Sequence, residues 1–181
     1  DELLFTIKTY KNNIKLLVSA SASLPLMYLT EENKQSPMTA PNFCMLLRKH
    51  IGNAKILKVS QPGLERIIDL TLEHLDELGD ICKKRLIIEL MGKHSNIIFC
   101  REDGTIIDSI KHISAQVSSV REVLPGRAWF IPQTAQKLDP LSVTEEEFIR
   151  VIGQVPAKTG KALYQKLTGI SPVMGEEICF L

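Results

Sequence analysis

The sequence predicts an α+β protein, an antiparallel β-sandwich with one inserted helix followed by a small helical segment, and three observations carry that prediction. Eight short stretches read as strands, the first two and the one after Pro62-Gly63 alternating apolar and polar residues with the period of two expected of half-buried strands. Short runs of turn residues join most of them, which favours two antiparallel sheets packed face to face over a parallel sheet with crossover helices. Helical periodicity occurs once within this run, between Pro41 and Gly52, and returns only after Thr144.

The elements follow in order. Leu3, Phe5 and Ile7 alternate with Leu4, Thr6 and Lys8, and beyond Asn12 and Asn13 the pattern resumes through Ile14, Leu16, Val18 and Ala20, which makes a hairpin. A third strand over 25–29 leads into TEENKQSPMTA, a stretch of loop composition. In PNFCMLLRKHIG, Pro41 stands at a first helical position and Gly52 at a stop. A step of about 100° per residue puts Phe43, Leu46, Leu47, His50 and Ile51 on one face, with Met45, Arg48 and Lys49 opposite. Strands are then expected over 54–60, 66–73, 84–91, 95–100 and 105–110. Pro62-Gly63 suits the centre of a type II turn, and Asp103-Gly104 a two-residue hairpin turn.

From 111 to 139 the periodicity fades into loop-like sequence containing VLPGRAWFIPQ. Thr144 and Glu147 form a capping box ahead of Phe148, Ile149, Val151 and Ile152. ALYQKL, a turn at TGIS and the pair Ser171-Pro172, as N-cap and first helical residue, complete the segment. LYQKLTGISPVMGEEI has the look of a helix-hairpin-helix, whose second-helix N-terminal amides bind phosphate. Ser171 stands where that motif has its second glycine, and an ordinary αα-hairpin fits equally well. The expected domains are 1–139, opening inside a strand pattern without an initiator Met, and an incomplete helical segment over 140–181.

A chain of 181 residues, 44% hydrophobic and 24% charged, is long enough to bury its own core. It holds no apolar run of about 18 residues, and DELLFTIK has neither the basic start nor the cleavage site of a signal peptide, so the expectation is a cytoplasmic protein without a membrane partner. Cys44, Cys82, Cys100 and Cys179 are widely spaced in or beside apolar runs, which predicts buried thiols rather than disulfides or a metal site. Net charge is only +1, yet no Asp or Glu falls between Asn33 and Leu64, where Lys34, Arg48, Lys49, Lys55 and Lys58 lie. Acid collects instead at Glu73, Asp76, Glu77 and Asp80, and again at Glu145, Glu146 and Glu147. Such segregation can present a basic face to phosphate; solvated faces of opposite sign explain it as well.

Three places could carry chemistry. Alternation puts Arg66 with Ile68, Leu70 and Leu72 on the apolar side of its strand, and a guanidinium there must pair, emerge at the sheet's end, or grip a base or phosphate, with Glu65 beside it to accept from a base edge. MGKHSN, Met91 to Asn96, gathers a glycine, a cation, an imidazole, a hydroxyl and an amide between two strong strands, as a polar hairpin or a pocket lining. It is not a Walker A loop, because neither the upstream glycine nor the following helix is present. His50 faces inward near a helix C-terminus, the usual place of a hydrogen-bonded core histidine. No GxSxG, HExxH or carboxylate pair in a glycine-rich turn occurs, so no catalytic site is expected.

The blocks PNFCMLLRKHI, QPGLERI, IELMGKHSNIIF, DSIKHIS and VREVLPG, in that order and spacing, closely resemble the NFACT family, which includes fibronectin-binding protein A, RqcH and the nuclear export mediator factor. The resemblance implies a first domain like that of the formamidopyrimidine-DNA glycosylases, then a helix-hairpin-helix domain. It does not imply glycosylase chemistry, for neither Asp1-Glu2 nor a nearby residue matches the N-terminal proline and glutamate those enzymes use. It implies binding to large ribosomal subunits that hold peptidyl-tRNA, and recruitment of tRNA, alanyl-tRNA in bacteria, to extend nascent chains; no cofactor is implied. The family's Asp-Arg pair falls on Glu65 and Arg66, with the acid one methylene longer. Its Gly-Lys/Arg-His-Ser-Asn block falls on Gly92, Lys93, His94, Ser95 and Asn96, and its basic helix on Arg48, Lys49 and His50, while Arg121 of VREVLPG joins the RNA-binding candidates. A surface adhesin for fibronectin or fibrinogen, as the older family name suggests, is the alternative; the missing signal peptide speaks against it.

Overall fold

The computed structural model describes residues 1–132 and 137–181. It divides into two compact units, Asp1–Ser60 with Ile67–Pro132, and Gln61–Arg66 with Gln133–Leu181. In the first, β1 (Glu2–Lys8), β2 (Asn13–Ser19) and β3 (Leu26–Thr30) form one antiparallel sheet. After α1 (Asn42–Ile51), a second antiparallel sheet runs in chain order through β4 (Lys55–Ser60), β5 (Ile67–Leu75), β6 (Ile81–Glu89), β7 (Asn96–Arg101) and β8 (Ile106–Ser109). Within each sheet every strand pairs with its neighbour in sequence, as the short turns require.

The two sheets meet face to face. Leu16 and Val18 of β2, Leu70 and Leu72 of β5, Leu86 and Ile88 of β6, and Ile97 and Phe99 of β7 form one buried cluster, with Phe43 and Leu47 of α1 in it. Each such side chain contributes about 1.5–3 kcal/mol by leaving water, so α1 is anchored by two of the residues its periodicity pointed inward. The opposite face of the five-stranded sheet is also covered. Ile67, Ile87, Ile98, Cys100 and Ile106 form a second cluster with Val123, against which Ile113, Trp129 and Ile131 pack. The stretch read as loop from 111 onward is therefore a cover, tied down by isolated bridges between Ile113 and Val123 and between Thr105 and Ala128.

Boundaries shift for local physical reasons. Pro41 is the N-cap of α1 rather than its first helical residue, its carbonyl accepting from Met45. At the other end Asn53, not Gly52, takes the left-handed conformation, with φ 63°. Gly52 is needed for another reason: a Cβ there would lie 2.8 Å from the Arg48 carbonyl oxygen. The Asp103-Gly104 hairpin is a three-residue loop, because Gly104 donates to Arg101 and Arg101 to Thr105, with Gly104 at φ 86°. β6 begins at Ile81, three residues before the expected start, because the turn before it is closed by Asp76, whose carboxylate accepts from the amides of Leu78 and Asp80. Only Cys100 is a buried thiol, its pKa pushed up to about 12 by burial. Cys44 and Cys82 are half-buried and Cys179 is exposed on the last helix, where the apolar run faces outward.

The second unit contains α2 (Glu145–Gly153), α3 (Thr159–Lys166) and α4 (Pro172–Phe180). Thr144 caps α2 by accepting from the Glu147 amide at 3.3 Å, and Ser171 caps α4 by accepting from Met174 at 3.1 Å. The Glu147 carboxylate reaches towards Arg150 at 3.7 Å, so the expected capping box is present on its threonine side. α3 and α4 cross at glycines: a Cβ on Gly175 would lie 2.4 Å from the Gly160 carbonyl oxygen. No described helix is long and apolar enough to cross a membrane.

Gly175→Ala should therefore force α3 and α4 apart and destabilise the helical unit by about 1–3 kcal/mol, the usual range for overpacking. Gly153→Ala, where a Cβ meets nothing within 4 Å, should be neutral or stabilising. Thermal melts of the two variants followed by circular dichroism check the contrast.

Candidate nucleic-acid interface

Glu65 and Arg66 end a loop whose geometry differs from the expected turn. Glu65 donates its amide to the Pro62 carbonyl at 3.0 Å, which makes Gly63 and Leu64, not Pro62 and Gly63, the central residues, with Gly63 at φ 53°. The Gln61 side-chain amide donates to the Glu65 carbonyl at 2.8 Å and closes the loop from within, while Leu64 packs against Gly169 of the helical unit. These contacts move the strand start to Ile67 and leave Arg66 just outside it. Arg66 is exposed, and among the described residues it makes no ion pair or side-chain hydrogen bond. Of the fates open to an arginine on that side, it emerges into water. Its five N–H donors stay free for a planar or anionic partner. Half-buried Glu65 likewise has no ion-pair partner among the described residues.

The Gly92–His94 turn belongs to the other unit and is built differently. Gly92 adopts φ 58° at the head of one 3-10 turn, and the Ser95 hydroxyl accepts from the Met91 amide at 2.8 Å to close it. Asn96 is buried, donating to the Lys111 carbonyl at 2.8 Å and accepting from the amides of Ile97 and Lys111. Ser95 and Asn96 thus satisfy the fold's own backbone. Lys93 and His94 remain accessible to a ligand.

Arg48 and Lys49 project from α1 into solvent, as its periodicity requires. Three of the five cations of the acid-free segment are nevertheless answered in the fold. Lys34 pairs with Glu2 at 2.5 Å, Lys49 with Glu77 at 2.8 Å, and Lys55 approaches Glu73 at 3.9 Å. Lys49 in turn holds the Glu77 carboxyl below its ordinary pKa. These pairs are solvent-screened and weak, so an anion can compete for the lysines, but they remove the continuous basic face that the sequence allowed. His50 packs on Phe99, ring centroids 6.0 Å apart, and edge-on to His74 at 6.4 Å. Burial pushes its pKa down, Lys84, Lys49 and His74 add to the effect, and Glu77 opposes it.

Arg121 has an internal role. Its guanidinium donates to Glu89 at 2.5 Å and to the Phe130 carbonyl at 2.6 Å, and its side chain is only 10% exposed. Glu89 is wholly buried, and its other oxygen accepts from the Trp129 indole at 2.9 Å. Nothing in the sequence pattern singled out Glu89 or Trp129 as a pair; the one available signal was a glutamate closing an apolar run, LIIE, in a strand covered on both faces. A related pair, Arg85 on Asp69 at 2.5 Å, places its guanidinium 5.1 Å from the Trp129 ring centre. Among the described residues no group of three or more His, Cys, Asp or Glu is arranged to hold a metal ion.

A family model described as NFACT N-terminal and middle domains matches residues 1–181. The chain belongs to the NFACT family. It is 36% identical over 177 residues to a Bacillus subtilis protein named Rqc2 homolog RqcH, covering 97% of this chain and 31% of that relative. An archaeal Rqc2 homolog aRqcH from Methanocaldococcus jannaschii is 28% identical over 182 residues, 98% of this chain and 26% of its own length. The chain thus spans under a third of these relatives. Among solved structures, the N-terminal part of the fibronectin/fibrinogen-binding protein from Streptococcus suis superposes with a TM-score of 0.86 at 31% identity, covering 99% of this chain and 67% of that one. The fibrinogen-binding protein from Staphylococcus aureus gives 0.84 at 30% identity, covering 98% and 62%. These NFACT-type neighbours share the α+β architecture of paired antiparallel sheets and helices.

Two outcomes follow from Arg121 and His50. Arg121→Ala strands the Glu89 carboxylate and should cost about 3–5 kcal/mol, whereas replacing both partners, as Glu89→Leu with Arg121→Met, should recover much of that loss in urea denaturation. For His50 the native pKa lies below the unfolded value, near 6.5, so the unfolded chain takes up the proton first as pH falls. Its stabilising contribution is present above about pH 6.5 and is lost towards the depressed native value. The melting temperature should therefore drop more between about pH 7 and pH 5 in the wild type than in His50→Phe.

Proposed function

We propose that this chain is the RNA-facing N-terminal part of a cytoplasmic, non-enzymatic ribosome quality-control factor. In this reading it engages large ribosomal subunits that retain peptidyl-tRNA and helps recruit tRNA, alanyl-tRNA in bacteria, for tailing of the nascent chain. The observation that carries the reading is Arg66, an exposed guanidinium without an ion-pair partner among the described residues, held at the end of a loop whose backbone is fixed by Gln61 and Gly63. Membership of a family with relatives named Rqc2 homologs supports it. Glu65 accepts from a base edge, Arg66 stacks on a base or grips phosphate, and Lys93, His94, Arg48 and Lys49 contact the backbone. Ser95, Asn96 and Arg121 act in this reading by shaping the surface rather than touching RNA.

A second reading, an adhesin for fibronectin or fibrinogen, is favoured by the names carried by the solved neighbours. Cell fractionation with ribosome sedimentation separates the two, since an adhesin does not travel with large subunits. For the first reading, Arg66→Ala should weaken tRNA binding by about 1–3 kcal/mol, roughly fivefold to more than a hundredfold, with an unchanged melting temperature. A large fall in melting temperature with wild-type affinity in the folded fraction would assign Arg66 to structure instead.

A further inference from the structure

We infer that the free edge of β4 is a docking strand for an extended polypeptide segment in which acidic and apolar residues alternate. β4 is the first strand of its sheet, and among the described residues no strand or bridge pairs with its outer edge. The opposite edge is treated differently, for β8 is closed by Ile106 donating to Arg127 and Gly126 donating to Ile106, each at 2.8 Å. Ile56, Leu57 and Val59 are 39%, 48% and 63% exposed, an unusual load of bare apolar surface on an edge strand.

A bulge decides what can pair there. Ile56 lies opposite Leu72 and Lys58 opposite Thr71, so Leu57 is an extra residue. Three positions apart, Lys55 and Lys58 would otherwise point to opposite faces; with the bulge, opposite Glu73 and Thr71, they share one face. Ile56 and Val59, opposite Leu72 and Leu70, share the other. An added strand therefore meets two cations on one face and two apolar residues on the other. Along an antiparallel partner that selects an apolar residue opposite Val59, an acid opposite Lys58, an apolar residue opposite Ile56 and an acid opposite Lys55. A second copy of this chain is disfavoured, because pairing through β4 brings lysines against lysines. β3, an edge strand of the other sheet, has no charged residue in LMYLT with which to select a partner.

The partner is a protein segment, so this goes beyond RNA binding. The test uses a fluorescent eight-residue peptide alternating Val and Glu at pH 7, with a Val-Lys peptide as control. Expected are saturable anisotropy for the acidic peptide alone and slowed amide exchange at Lys55 to Val59. Lys58→Glu, which lies opposite Thr71 and breaks no ion pair among the described residues, should weaken binding about fivefold to tenfold. Val59→Lys should weaken it as well, although it adds positive charge. No binding at millimolar peptide overturns the proposal, as does tighter binding by Val59→Lys without amide protection, which marks diffuse charge attraction. Sedimentation showing a dimer that Lys58→Glu disperses would assign the edge to self-association and overturn it. A uridine oligonucleotide bound through Lys58 and indifferent to Val59→Lys would give the edge to phosphate and overturn it too.

Discussion

Coverage of the five-stranded sheet on both faces is the constraint on which the rest of the first unit depends. β5, β6 and β7 present apolar residues on both faces, so neither face can be left to water. One is covered by β1 to β3 and α1, regular elements whose own periodicity matches the sheet. The other is covered by irregular chain carrying Val123, Trp129 and Ile131. Irregular backbone brings few ladder hydrogen bonds and needs another means of attachment. Glu89 provides it, holding Arg121 with one oxygen and Trp129 with the other. A buried carboxylate is costly unless both oxygens are engaged, and here both are, which ties the position of the cover to one register.

That constraint also sorts the polar residues of the family blocks into two kinds. Ser95, Asn96 and Arg121 lie where backbone is being turned or attached beneath the surface, and their donors and acceptors are consumed there. Arg66, Lys93 and His94 lie where a loop or turn stands outside the packed layer, and among the described residues no comparable internal use is made of them. Proximity in sequence does not separate the kinds. His94 and Ser95 are neighbours, yet one is exposed and the other buried, because the 3-10 turn ends between them.

The parts of the fold legible in the sequence were those set by period and by caps. The eight strands, the inward face of α1, Thr144 and Ser171 all follow from interactions within a few residues. What was not legible depended on chain far away. The cover after 111 has no period because its partners lie on β5 to β8, and the Gln61–Arg66 loop, whose Leu64 packs against the distant Gly169, takes its turn one residue later than Pro62-Gly63 suggests. For the candidate site, the exposure of Arg66 was one of the outcomes its parity allowed, whereas the internal use of Arg121 could not be foreseen without Glu89 in view.

Charge shows the same limit and has a mechanistic consequence. Along the sequence, bases between 33 and 64 and acids between 73 and 80 look like two separate fields. In the fold, Glu73 and Glu77 stand opposite Lys55 and Lys49, so the two fields cancel in part at short range, while Arg48 and Lys58 have no ion-pair partner among the described residues. A surface balanced in this way attracts a polyanion weakly at a distance, since screening over about 8–10 Å leaves little net potential to steer by. Under the proposed function, RNA would be held through such a surface by individual donors at fixed positions rather than by a counterion-releasing patch. Arg66, exposed and rooted in a loop fixed by Gln61 and Gly63, is the kind of donor that requirement selects.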